Sequence, residues 1–240
     1  QLLELGIEPY PAAEYPVTST ADEIKAEFDE EGEKWNACIA GRLMSRRVMG
    51  KASFAEIMDH TGRIQVYVNR DEICPDEDKT MYNDVFKKAL DIGDFIGVKG
   101  YVFKTKVGET SVHVSELTVL SKSLRPLPIV KTDALGNVHD GFADKEQRYR
   151  MRYLDLVVNP EVKKVFKQRT LIMNSLREFF NEHGYLEVDT PVLQPIPGGA
   201  AARPFITRHN SLDIDMYMRI ANELYLCLLY TSPSPRDRVQ

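Results

Sequence analysis

Three runs of alternating apolar residues, one helical run and two further alternating runs lie between residues 35 and 121, and this order constrains the fold more than any other feature. "NACIAGRLMSRRVMG" alternates through its first half, "ASFAEIMDH" follows it, and "TGRIQVYVN" comes after a Thr-Gly turn. Period-two alternation puts successive side chains on opposite faces of a strand, so each run can bury one face and wet the other. Short links between the three runs make a meander. "DKTMYNDVFKKALDIGD" changes the period: Met81, Val85, Ala89 and Leu90 share a helical face, and Gly93 closes the run. "DFIGVKGYVFKT" and "TSVHVSELTVL" return to strand alternation across Lys106, Val107 and Gly108.

Three strands, a helix and two strands is the order of the five-stranded oligonucleotide/oligosaccharide-binding (OB) barrel, whose second and third strands present the ligand face. A small barrel of another topology is the alternative. The net charge of −5 argues against a general nucleic-acid coat, but charge is unevenly placed. Asp22 to Lys34 holds seven acids against two lysines, whereas Arg42, Arg46, Arg47, Lys51, Arg63 and Arg70 face only Glu56 and Asp59 in the next stretch. A surface for single-stranded nucleic acid needs cations for phosphates, aromatic faces for bases and amide-like groups for base edges. Arg46 and Arg47 supply the first, Phe54 the second and Gln65 the third. The plain alternatives are a core phenylalanine and a solvated charged strand face.

Past the barrel, the prolines of "SKSLRPLPIV" mark a boundary near residue 122. "DKEQRYRMRYLDL" reads as a salt-bridged helix face or a phosphate-contacting segment. Asn159 and Pro160 start a helix whose Val162, Val165, Phe166, Ile172, Leu176, Phe179 and Phe180 form an apolar stripe, and Gly184 ends it. "YLEVDTPVL" reads as a strand interrupted by Pro191, tolerable at an edge or an interface. "QPIPGGAAARPF" is too apolar for a flexible linker and too glycine-rich for a helix interior, so its backbone is expected to lie close to something. Cys38, Cys74 and Cys227 lack the paired spacing of a zinc or redox site and read as bystander thiols. No apolar stretch spans a bilayer and no charged-then-apolar leader is visible, so the expectation is a cytoplasmic chain without a membrane partner.

"GRLMSRRVMGKASF", "RYRMRYLDL", "GYLEVDTPVL" and "GGAAARPFIT…LDIDMYMRIANELYL" together resemble the amino-terminal half of the class II lysyl-tRNA synthetases, over residues 1–226. The resemblance implies an α+β multidomain chain: an extension over 1–34, an anticodon-binding OB-fold barrel over 35–121, a hinge over 122–159, and over 160–226 the start of a truncated antiparallel catalytic domain. Residues 227–240, "CLLYTSPSPRDRVQ", depart from the family and are expected to be an unrelated tail of sequencing or vector origin.

By the same resemblance Phe54 stacks on the central anticodon uridine, Gln65 and Glu116 contact its edge, and Arg46 and Arg47 act through charge. Gly198, Gly199 and Ala200 line the amino-acid pocket, where Glu223 faces the α-ammonium of lysine. The helix ending at Gly184 and the strand through Pro191 belong to a homodimer interface. The implied partners are tRNA(Lys), lysine and ATP with Mg2+, the arginines and metal ligands lying beyond residue 226. No catalytic or metal-binding residue is therefore expected within this chain, and it is expected to be inactive. Arg208 and Asn222 depart from the family's usual histidine and proline, which bears on pocket charge and on a helix start. A reading of a different class is a non-catalytic OB-fold RNA-binding module.

Overall fold

The computed structural model describes residues 1–33, 35–128, 131–132, 138–139, 142–198 and 201–229. They fall into two compact units, 1–162 and 163–240.

In the first unit β1 (Asn36–Met49), β2 (Ala52–Met58), β3 (Arg63–Asn69), β4 (Phe95–Lys104) and β5 (Thr110–Ser121) form a closed barrel in the order β1-β2-β3-β5-β4. This is the expected OB-fold strand order. β1 serves two neighbours: Asn36 to Arg42 pair with β4, and Arg42 to Met49 pair with β2. A bulge between Leu43 and Ser45 turns the strand from one partner to the other. The parallel pairing of β3 with β5 closes the ring. Alternation delivers Ala55, Ile57, Ile64, Val66, Val68, Val98, Val112 and Val114 to one buried core.

The helical run is a π-helix, Met81–Ala89, in which Leu90 N–H donates to Val85 O at 2.9 Å. Tyr82, Val85 and Phe86 are fully buried and plug the barrel, with the Tyr82 hydroxyl 2.8 Å from Ser53 Oγ. Carbonyls at a helix exit lack partners within the helix. Arg46 Nη1 supplies one, donating to Leu90 O (3.0 Å) and to Phe86 O.

Beside that exit, the fully buried Asp94 carboxylate accepts from Asp91 N (2.7 Å), Ser123 N (2.7 Å) and Lys122 Nζ (2.6 Å). It ties the start of β4 to the end of β5. On another side α1 (Ala21–Glu27) opens with a Thr20/Glu23 capping box, and Asp59 Oδ2 accepts from Ala21 N at 2.7 Å. Burial pushes the Asp59 carboxyl up. Hydrogen bonds from Gly62, Thr61 and Ala21 outweigh this and hold it below the ordinary carboxylate range.

α2 (Arg70–Ile73) follows β3 and brings Glu72 Oε2 to 3.1 Å from His113 Nδ1 on β5. The two-residue strands β6 (Lys131–Thr132) and β7 (Val138–His139) pair with each other. In α3 (Lys145–Arg150) and α4 (Arg152–Val158), the buried Asp155 accepts from Arg148 Nε (2.8 Å) and Asn159 Nδ2 (2.7 Å) and also pairs with Arg152. Those two arginines of "RYRMRYLDL" thus brace the segment internally.

In the second unit α5 (Pro160–Glu182) carries the apolar stripe, but none of its residues is buried. His183 and Gly184 close it, Gly184 at φ +78°, where a side chain would be strained. The strand expected across "YLEVDTPVL" does not form over its length. Only β8 (Leu193–Gln194), past Pro191, pairs, and it does so with β10 (Ile214–Met218), which in turn pairs with β9 (Ile206–His209). Proline cannot donate to a ladder, and no neighbouring strand is described beside residues 185–190. α6 (Glu223–Leu229) takes in Cys227, Leu228 and Leu229, so helix runs into the stretch expected as a tail; residues 230–240 lie outside the described set.

Candidate nucleic-acid interface

Strand register assembles two transverse rows on the outer face of the barrel. One runs Arg47, Phe54, Tyr67, His113, Tyr101, and the next runs Ser45, Glu56, Gln65, Ser111, Phe103. The first is a band of rings: Phe54 and Tyr67 lie 5.1 Å apart, Tyr67 and His113 4.8 Å, and His113 stacks on Tyr101 at 4.7 Å. Burial, with the Glu72 carboxylate nearby, pushes the Tyr101 phenol up, so it stays a neutral part of this band at physiological pH.

Arg47, Phe54, Tyr67 and His113 of this row line a cavity of about 1000 Å³. Arg47, Met49 and Phe54 stand on one side; Phe103 and the β4–β5 turn, with Thr105, Lys106, Val107 and Glu109, stand on the other. Phe54 is half-buried, outside the core, with a face toward the cavity. Ser111 Oγ donates to Gln65 Oε1 at 2.9 Å, which orients the amide. A flat aromatic, an oriented amide and an exposed guanidinium in one groove can stack a base, bond its edge and meet its phosphate.

Two expected members are elsewhere. Arg46 alternates with Arg47 along β1, and its guanidinium is spent on the π-helix carbonyls, where burial pushes its pKa down. Glu116 pairs with Lys99 Nζ at 2.9 Å and lies roughly 17 Å along β5 from Ser111, at about 3.3 Å per residue. It does not line the cavity. The carboxylate that does, beside Glu56, is Glu109, which sequence reading passed over because it lies in a turn. Tyr67 and Phe103 were passed over too; their alternation with core residues was the available signal.

In the second unit Gly198 lies against α6: a Cβ there would stand 2.6 Å from Leu224 Cδ1, so a side chain at 198 would push the tip of Leu224 aside. Gly199 and Ala200 lie outside the described residues. Glu223 opens α6 and is exposed in this chain. Asn222 precedes α6, and its Oδ1 accepts from Thr190 Oγ1 at 2.9 Å. Arg219 Nη1 donates to Thr190 O and Oγ1, both at 2.7 Å, and Arg208 pairs with Asp213 and Asp215, so both arginines are structurally engaged. Pro191 is exposed just before β8.

Two family models match. "OB-fold nucleic acid binding domain" covers residues 37–120, and "tRNA synthetases class II (D, K and N)" covers 144–236. The chain is 66% identical over 228 residues to the lysine–tRNA ligase of Porphyromonas gingivalis, covering 94% of itself and 39% of that relative. It is 65% identical over 221 residues to that of Christiangramia forsetii, covering 92% of itself and 38% of the relative. It is 62% identical over 226 residues to that of Azobacteroides pseudotrichonymphae, covering 94% of itself and 45% of the relative. The chain therefore spans well under half the length of these curated relatives.

Proposed function

We infer the function of this chain from the family to which it belongs, the class II lysyl-tRNA synthetases. We propose that the protein containing this sequence activates lysine with ATP and transfers it to tRNA(Lys), and that residues 35–121 bind the anticodon. The row Arg47–Phe54–Tyr67 beside Gln65, floored by rings and open along one groove, is the observation that carries the second part. Phe54 stacks on a base, Gln65 meets its edge, and Arg47 neutralises phosphate; Glu109 takes the place first given to Glu116.

Residues 160–226 are proposed as the start of the catalytic domain, with Gly198, Gly199, Ala200 and Glu223 on the α-ammonium side of the lysine pocket. The apolar face of α5, the turn at Gly184 and the segment at Pro191 are proposed as homodimer surface. Val165, Ile172, Leu176, Phe179 and Phe180 are all exposed on that helix, an apolar surface that favours this reading. Residues 1–34 and 122–159 are then extension and hinge. Magnesium and ATP are proposed for the whole protein. Among the described residues no group of three or more His, Cys, Asp or Glu converges as a cation site. Among the described residues no helix is long and apolar enough to cross a membrane.

The test is binding of an RNA stem-loop carrying a UUU anticodon to the 240-residue chain. A stacked base is worth about 1–3 kcal/mol, so Phe54→Ala is expected to weaken binding about tenfold or more. Equal affinity for parent and variant would remove Phe54 from the interface. A second measurement separates the two arginines. Arg47→Ala is expected to reduce the slope of log K against log salt by about 0.7, the value of one single-strand phosphate contact. Arg46→Ala is expected to leave the slope alone and lower the melting temperature, because it strips the π-helix exit of its donor. A flattened slope in Arg46→Ala would reverse this assignment.

A further inference from the structure

We propose that Tyr82 of the π-helix is a positioning residue for anticodon binding, one that sets the direction of Phe54 through the buried hydroxyl of Ser53. The inference rests on the anticodon-binding reading and adds to it a residue that the RNA never touches.

Ser53 is the feature that points there. It is fully buried on β2, opposite the fully buried Val68 of β3, and the next two inward positions of its strand are the apolar Ala55 and Ile57. A hydroxyl in such a place costs stability unless it is bonded. Its partner comes from outside the sheet: Tyr82 Oη lies 2.8 Å from Ser53 Oγ. Tyr82 Oη also donates to Gly50 O at 3.0 Å, in the two-residue turn that joins β1 to β2. A phenol has one hydrogen, so Ser53 is the donor to Tyr82, and one chain of bonds runs from Ser53 through Tyr82 to Gly50.

The helix that presents Tyr82 is a fixed reference for the strand. The Tyr82 ring is fully buried, stacks on Phe86 at 5.7 Å and 18°, and has Lys87 Nζ 4.7 Å from its centroid. At the other end of the helix, Arg46 of β1 holds Leu90 O at 3.0 Å. Consecutive residues of a strand face opposite ways, so the inward bond of Ser53 fixes the rotation of β2 and with it the outward direction of Phe54. Without that bond the rotation would rest on Ala55 and Ile57, whose apolar contacts carry no direction. Stacking on a base depends on ring orientation, and a binding group is only as well placed as the residues that hold it.

The experiment measures binding of the UUU stem-loop to the 240-residue chain carrying Ser53→Ala, Tyr82→Phe, Phe54→Ala, and each of the first two combined with the third. Every variant is assayed well below its own melting midpoint. Ser53→Ala and Tyr82→Phe are each expected to weaken binding about threefold, part of the loss of about tenfold expected for Phe54→Ala. Neither is expected to weaken it further once Phe54 is alanine, because each acts through that ring. A role in stability alone would cost the same factor in both backgrounds, and that result would overturn the proposal. Parent-like affinity in Ser53→Ala would overturn it too. That variant leaves Tyr82 its bond to Gly50, so it decides the question if Tyr82→Phe does not fold. Where both fold, a loss in Ser53→Ala without one in Tyr82→Phe would take Tyr82 out of the assignment. If Phe54→Ala weakens binding and the other two do not, positioning falls and anticodon binding stands. If the parent does not bind the loop, or Phe54→Ala binds like the parent, the reading of the groove falls and the proposal with it.

Discussion

A polypeptide of these 240 residues is expected to give no lysine-dependent exchange of pyrophosphate into ATP under conditions where a lysine–tRNA ligase from one of the relatives exchanges freely. Attack of a carboxylate on an α-phosphate needs the two groups held in line and cations aimed at the charge that develops. The described residues provide neither. Glu223 is exposed, and a carboxylate pairing with an ammonium in water is worth about 0–1 kcal/mol, too little to seat lysine. Arg219 is occupied by Thr190, and Arg208 by Asp213 and Asp215. β9, one edge of the three-stranded sheet, is exposed at every residue, so no dry cleft forms over it. Exchange above the no-protein background that rises with lysine concentration would overturn this. Stem-loop binding without exchange is the paired result expected from the same preparation.

Asp94→Ala is expected to destabilise the barrel by about 3–5 kcal/mol, the usual cost of removing one partner from a buried ion pair. Asp94 is fully buried, and the side chain of Lys122 is only 16% exposed. Removing the carboxylate takes the buried partner from the ammonium, leaving it Ala89 O and the exposed Asp91, and leaves the N–H groups of Asp91 and Ser123 without their acceptor. For a domain of this size the melting temperature should fall by more than about 10 °C. Asp91→Ala is the control. That carboxylate also meets Lys122, at 2.7 Å, but its side chain is 69% exposed, and an exposed pair contributes about 0–1 kcal/mol. Equal melting of Asp94→Ala and Asp91→Ala would show that burial does not set the strength of this network.

The barrel was legible in the sequence because its signals are local. Alternation with period two names a strand wherever it occurs, and Pro160 and Gly184 mark the two ends of α5 through backbone constraints that need no neighbour. Phe54 and Gln65 were legible for the same reason, as outward positions on adjacent strands. Which of two consecutive arginines faces the groove was not, because the bulge between Leu43 and Ser45 resets the alternation of β1, and a bulge depends on the strand's two partners. The choice between Glu109 and Glu116 required the register of β3 against β5, a pairing between residues far apart in the chain. The strand expected at Pro191 needed a neighbour to hydrogen-bond, and Glu223 needed walls to exclude water; neither is supplied by the residues next to it in sequence. Period and backbone conformation were thus determined by the sequence itself, whereas facing, register and burial were decided by the tertiary structure, since each depends on contact between distant segments.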